Sequence, residues 1–185
     1  MTSGITIRTA DRSDRDALRA LQALSLRTLA APYYDSAALE AFIAMGTMYD
    51  ALLDGGTFFA VHEGAVLIGC GGWSSRMPDY AKFAKDAVPG QKDATVRSVF
   101  VHPDWGRRGI GRRIMEKVEA DIARAGFDQA RLLAALSGVP LYRQLGWRSG
   151  ETVTLELPGG FKLAGIEMSK RLTPGPDAGM NAAAA

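Results

Sequence analysis

The chain holds one cysteine, Cys70, among 185 residues. That count excludes an intrachain disulfide and points to a reducing, cytoplasmic setting. Cys70 lies in the apolar run VLIGCGGW, where a thiol packs as a small hydrophobe rather than acting as a nucleophile. Histidine is scarce too. His62 and His102 are far apart and neither stands in a metal-ligand spacing, so no metal site is expected. No apolar run reaches the about 18 residues that a membrane-spanning helix needs. Residues Met1 to Ala10 lack a basic stretch followed by an apolar one, so no secretory leader is expected. The net charge of +2 is too small to argue for nucleic acid. Neither a membrane nor a nucleic acid is therefore an expected partner.

What is present suits one packed domain. Apolar residues make up 47% of the chain and charged residues 23%, ordinary values for a globular protein. The domain is expected over residues 1–172. The segment TPGPDAGMNAAAA, residues 173–185, has too few large apolar groups to pack and is expected to be disordered. Alternation in ITIRTA predicts a first strand. A helix is predicted through DRSDRDALRALQALSLRTLA, with Ser13 and Asp16 as its capping signal and Leu18, Leu21, Leu24 and Leu29 as its apolar side. DSAALEAFIAMG predicts a second helix from the cap Asp35 to the terminator Gly46.

TFFAV and AVLIGCGGW, separated by His62, Glu63 and Gly64, predict a hairpin. Ser74 to Asp93 reads as a long connection, with a helical turn in DYAKFAKDAV. ATVRSVFVHP is the next strand. RRIMEKVEADIARAG is an amphipathic helix, with Ile114, Met115, Val118 and Ile122 on one face and Gly126 at its end. QARLLAAL is a strand, PLYRQLGW a short helix, and ETVTLEL and FKLAGIEMSK a closing hairpin about Pro158-Gly159-Gly160. The order is β-α-α-β-β-β-α-β-α-β-β. The closing hairpin offers an edge along which a second copy could pair as a homodimer.

One stretch departs from this ordinary pattern. Between the strand ATVRSVFV and the amphipathic helix, residues Gly106 to Ile114 hold three glycines and four arginines. A strand that enters a helix through a glycine-rich turn presents free N–H groups and the positive end of the helix dipole. Glycine removes the Cβ that would keep a phosphate away, and flanking arginines add forked, charge-assisted contacts. The NTPase P-loop is excluded, because Arg112 and Arg113 follow Gly111 where lysine and a hydroxyl residue are required. The dinucleotide fingerprint is excluded as well, since Ile114 stands at the third glycine position.

The segment VRSVFVHPDWGRRGIGRRIM resembles the acyl-CoA-binding motif of the GNAT superfamily of N-acetyltransferases, Arg/Gln-x-x-Gly-x-Gly/Ala. Gly109 and Gly111 match, while Gly106 stands where the family usually has arginine or glutamine. LSGVPLYRQLGW, about 30 residues on, resembles the family's second motif, a helix with a tyrosine before a Gly-aromatic end. The resemblance covers about residues 5 to 170. It implies an α+β fold with a mixed, mostly antiparallel central sheet flanked by helices, and acetyl-CoA as co-substrate. It also implies that the strand Val96 to Val101 splays from Gln129 to Leu136. The pantetheine arm would then pair near Phe100 and Val101, and the pyrophosphate would sit on the amides of Arg107, Arg108, Gly109, Ile110, Gly111 and Arg112.

The reaction so implied is direct attack of a primary amine, on a small molecule or a peptide, upon the thioester. A lysine-like amine must first lose a proton, at a cost of about 4.6 kcal/mol at pH 7. Tyr142 matches the family's tyrosine and would protonate the departing thiolate. Many members carry a glutamate as base before the glycine loop; here Thr95 occupies that region, and neither Asp93 nor His102 is assigned the role. Tyr33, Tyr34 and Trp73 are the aromatics expected to border the acceptor. Two functions fit these residues: an N-acetyltransferase, or an acyl-CoA-binding sensor without catalysis.

Overall fold

The computed structural model describes residues 4–46, 50–75 and 94–172. Strand β1 is Ile5–Thr9, followed by helices α1 (Arg15–Ser25), α2 (Ser36–Met45) and α3 (Asp50–Asp54). Strands β2 (Phe58–Glu63), β3 (Val66–Ser74) and β4 (Ala94–Val101) come next, then α4 (Ile110–Arg124), β5 (Gln129–Ala135), α5 (Val139–Gln144), β6 (Arg148–Glu156) and β7 (Lys162–Arg171). The predicted order holds except for the short α3, which no apolar period announces. The expected helical turn in DYAKFAKDAV and the expected disordered tail lie outside the described residues. No helix among the described residues is long and apolar enough to cross a membrane.

The seven strands form one sheet in the order β1-β2-β3-β4-β5-β7-β6. Every neighbouring pair is antiparallel except β4 and β5, which run parallel. Helix α4 covers one face. Its Ile114, Met115, Val118 and Ile122 are buried as their spacing predicts, among Phe59, Ile68, Val96 and Leu132 of the strands. Helices α1 and α2 cover the other face. Leu18 and Leu21 pack with Phe58, Ala60 and Cys70, while Leu26, Ala30, Ala38 and Leu39 pack with Leu155, Leu157 and Leu163 of the closing hairpin.

The first helix corrects the sequence reading twice. Asp11, not Ser13, caps the opening turn: its side chain accepts from the Ser13 N–H, and Asp14 closes a capping box back onto the Asp11 N–H. The apolar side also changes phase. Residues Leu26–Ala30 form one wide π turn, which rotates each residue less than an α turn does. Leu26 and Ala30 are buried in consequence and Leu29 is exposed; Leu24, within α1, is exposed on the side away from Leu18. The second helix begins and ends as predicted, with Asp35 accepting from the Ala37 and Ala38 N–H groups and Gly46 at positive φ.

Candidate active site

Strands β4 and β5 share two rungs, Ala94 with Ala130 and Thr95 with Arg131, and then diverge. Beyond Thr95, β4 stays paired with β3, Phe100 opposite Cys70 and Val101 opposite Gly69. The His102 N–H donates to the Ile68 carbonyl at 2.9 Å, on the β3 side. Strand alternation therefore turns the Val101 N–H the other way, towards the gap. The splay expected from the resemblance is present, and it opens a cleft of about 630 Å³.

At one end of the cleft stands the glycine-arginine turn. His102 accepts from the Asp104 N–H on its own Nδ1 and caps the turn Pro103–Trp105, with its ring edge-on to Trp105. That capping bond accounts for the histidine without a role as base. Arg107 adopts φ 61° and Gly109 φ 80°, two left-handed residues that swing the chain from strand into helix. Gly109 is the N-cap of α4, and among the described residues no side chain caps that helix. Nor does its first turn hold an acidic residue, so its positive end lacks a local countercharge. Arg107, Gly109, Ile110, Gly111 and Arg112 line the cleft, as do Phe100 and Val101. Arg108 does not line it: its guanidinium lies 6.0 Å from the centre of the Trp105 ring, whose Nε1 donates to Glu63. Its side chain thus stacks on Trp105, while its backbone amide, the group expected at the pyrophosphate, stays in the turn.

The two signature segments meet through glycine. A Cβ on Gly111 would lie 2.7 Å from Leu141 Cδ2, and one on Gly138 would lie 3.0 Å from the Tyr142 ring. Lacking both, α5 settles against the first turn of α4 and sets Tyr142 in the cleft wall. Tyr142 packs edge-on to Trp147 at 6.1 Å. The Trp147 Nε1 donates to Glu119 Oε1 at 2.8 Å, and Lys170 Nζ donates to Glu119 Oε2 at 2.6 Å. The aromatic pair is thereby fixed to α4 and β7. Burial alone pushes the Tyr142 phenol well above its ordinary pKa, so it carries its proton throughout the neutral range.

Of the three expected acceptor aromatics, two reach the cleft. Tyr33 is half-exposed on its wall, and Tyr34 lines it with its hydroxyl engaged. The Tyr34 hydroxyl donates to the Ala164 carbonyl at 2.8 Å and accepts from the Leu136 N–H at 2.7 Å, joining the α1–α2 connection to β7 and the end of β5. Trp73 is a correction. It is buried on the α4 face, where Nε1 donates to Asp121 and its ring meets Phe127 edge-on at 5.4 Å. Strand alternation decides this outcome: Trp73 pairs with Val96, whose side chain also faces α4. Thr95 is buried at the closed end of the splay, and Asp93 lies outside the described residues. Cys70 is fully buried, its thiol pushed up to about 12 by desolvation. The sequence reading missed Trp105 and the leucines that line the cleft, Leu39, Leu155 and Leu163 among them. Trp105 could have been found, since it sits inside the signature segment.

Comparisons with known proteins match the fold. The family model for the acetyltransferase (GNAT) domain matches residues 54–149. No curated protein matches the chain significantly in sequence. Among solved structures, the fold is similar to the GCN5-related N-acetyltransferase from Rhodopseudomonas palustris, with TM-score 0.72 and 18% identity over 93% of this chain and 98% of that one. It is similar to PaiA N-acetyltransferase from Thermoplasma acidophilum, solved with coenzyme A, with TM-score 0.66 and 17% identity over 91% and 99% of the two chains. It is also similar to YncA from Salmonella typhimurium, solved with acetyl-CoA, with TM-score 0.62 and 20% identity over 92% and 95%. At these identities the likeness is one of fold. The family model spans half of the chain and includes both signature segments: the chain belongs to the acetyltransferase (GNAT) domain family.

Proposed function

We propose that the protein moves an acetyl group from acetyl-CoA to a primary amine. The observation that carries this reading is a single cleft joining the uncapped start of α4 to Tyr142 through the β4–β5 gap. The residues present fit the coenzyme. The turn at Gly109 is open above its Cα, where an added Cβ would meet nothing within 4 Å. Amides at the start of α4 would hold the pyrophosphate, with Arg107 and Arg112 adding charge. The inward-facing edge of β4 near Val101 would bond the amides of the pantetheine arm.

In the reaction, the amine nitrogen forms a bond to the thioester carbonyl carbon, and the carbon–sulfur bond breaks. Tyr142 gives its proton to the departing sulfur, and the amine gives up one proton to water. The burial that weakens Tyr142 as an acid also makes an unprotonated sulfur a stronger base, so the transfer stays within reach. No side chain is assigned as base. Apolar surroundings favour the neutral amine over its ammonium, which lowers the cost of reaching the attacking form.

The test is release of free thiol from acetyl-CoA by the purified protein across a panel of amines, with acetyl-CoA binding measured separately by calorimetry. Amine-dependent thiol release supports acetyl transfer. Tight acetyl-CoA binding with thiol release at background for every amine would instead favour the non-catalytic sensor, a reading that Thr95 in place of an acid already permits.

A further inference from the structure

The far side of the same cleft has a chemistry of its own. Leu29 and Tyr33 from the α1–α2 connection, Leu39 and Phe42 from α2, and Leu155 and Leu163 from the closing hairpin face it together. Two of them keep much of their apolar surface open, Leu29 at 38% and Tyr33 at 50% exposure. Leu29 is open because the π turn rotates it away from the core that holds Leu26 and Ala30. Around the whole cleft the charged residues among the described lining are Arg97, Arg107 and Arg112, and the last two stand at the other end, in the glycine-arginine turn. A second ammonium on the acceptor would meet apolar groups there and no carboxylate among the described lining residues.

We infer that this wall selects the acceptor: a primary amine borne on a large apolar or aromatic body, in preference to a polyamine or a lysine side chain. The inference rests on the acetyl-transfer reading and names the substrate class of that site. The wall is continuous with the β4–β5 gap and with Tyr142, so a body seated on Leu29, Tyr33 and Phe42 presents its amine towards the gap. Removing water from the amine also favours its neutral, attacking form.

The experiment compares initial rates of thiol release with 2-phenylethylamine, ethylamine, spermidine and a lysine-containing peptide, at saturating acetyl-CoA. The expected kcat/KM for 2-phenylethylamine exceeds that for ethylamine and for spermidine by about tenfold or more, the scale on which apolar pockets discriminate. Tyr33→Ala and Leu29→Glu are partly exposed changes whose folding is checked by thermal melts. Each should raise the KM for 2-phenylethylamine by about tenfold and leave the KM for acetyl-CoA unchanged. Leu29→Glu should also narrow the gap between 2-phenylethylamine and spermidine. Higher kcat/KM with spermidine or the peptide, or folded variants with unaltered 2-phenylethylamine KM, would overturn the inference and leave acetyl transfer standing. Thiol release at background with every amine would overturn both.

Discussion

Gly111, in the first turn of α4, faces Leu141 of α5 so closely that an added Cβ would lie 2.7 Å from the leucine Cδ2. The glycine-arginine turn and the helix that carries Tyr142 are therefore parts of one packed unit, although about 30 residues separate them in the chain.

Gly111→Ala should push Leu141 towards the cleft and displace Tyr142 with it. Because Leu141 is a flexible side chain, the stability loss should sit near the low end of overpacking costs, about 1 kcal/mol. Turnover should fall by about tenfold, since small misplacements in a site are costly. The double variant Gly111→Ala with Leu141→Ala should recover part of the lost turnover. Steady-state kinetics and melts of the four proteins close the cycle.

Tyr142→Phe keeps the ring and removes the proton. Turnover should drop by about 10²-fold or more, while acetyl-CoA binding and the melting temperature stay near those of the parent. Turnover within twofold of the parent would remove Tyr142 from the role of acid.

Trp147→Phe keeps an aromatic beside Tyr142 but loses the Nε1 bond to Glu119. A hydrogen bond to a charged group contributes about 1.5–3 kcal/mol, and denaturant unfolding should register a loss of that order. Turnover should fall less than in Tyr142→Phe, because the phenol remains while its support loosens.

Cys70 should be inert in the folded protein. Its thiol is fully buried and pushed up to about 12, so an aromatic disulfide reagent should label no thiol until denaturant is added, then one. The same shift carries a pH dependence. A thiol whose pKa rises on folding contributes no loss below its ordinary value. Stability falls as pH rises above about 9, where the unfolded chain ionises and the folded one does not. Tyr142 and Tyr34 are raised by burial too and act in the same direction above about pH 10. Urea titrations at pH 8 and pH 10.5 should show the drop, and Cys70→Ala should lessen it.

These outcomes also mark what could be read from the chain. The glycine-arginine turn into α4, the α4 face and the α2 cap were legible because each depends on neighbours in sequence: glycines beside arginines, apolar residues at helical spacing, Asp35 before Ser36. The far wall of the cleft was legible only in Tyr33 and Tyr34. Leu29 was counted into the core because an α-helical period puts it there, and only the π turn at Leu26–Ala30 turns it out. Trp73 was placed by the nature of its side chain, whereas the register with Val96 settles which face it occupies. Arg108 shares the motif with Arg107 and Arg112, yet Trp105 draws it aside. In each case the deciding partner is remote or the backbone departs from its regular period.

The Tyr34 hydroxyl spends both of its bonding directions at once, one on Ala164 and one on Leu136. A single oxygen thus joins the segment that carries Leu29 and Tyr33 to β7 and to the turn after β5. A bulky guest that pushes on that segment works against both bonds at once. Amide exchange at Leu136 should accordingly stay slow while a ligand enters and leaves, and Tyr34→Phe should quicken it.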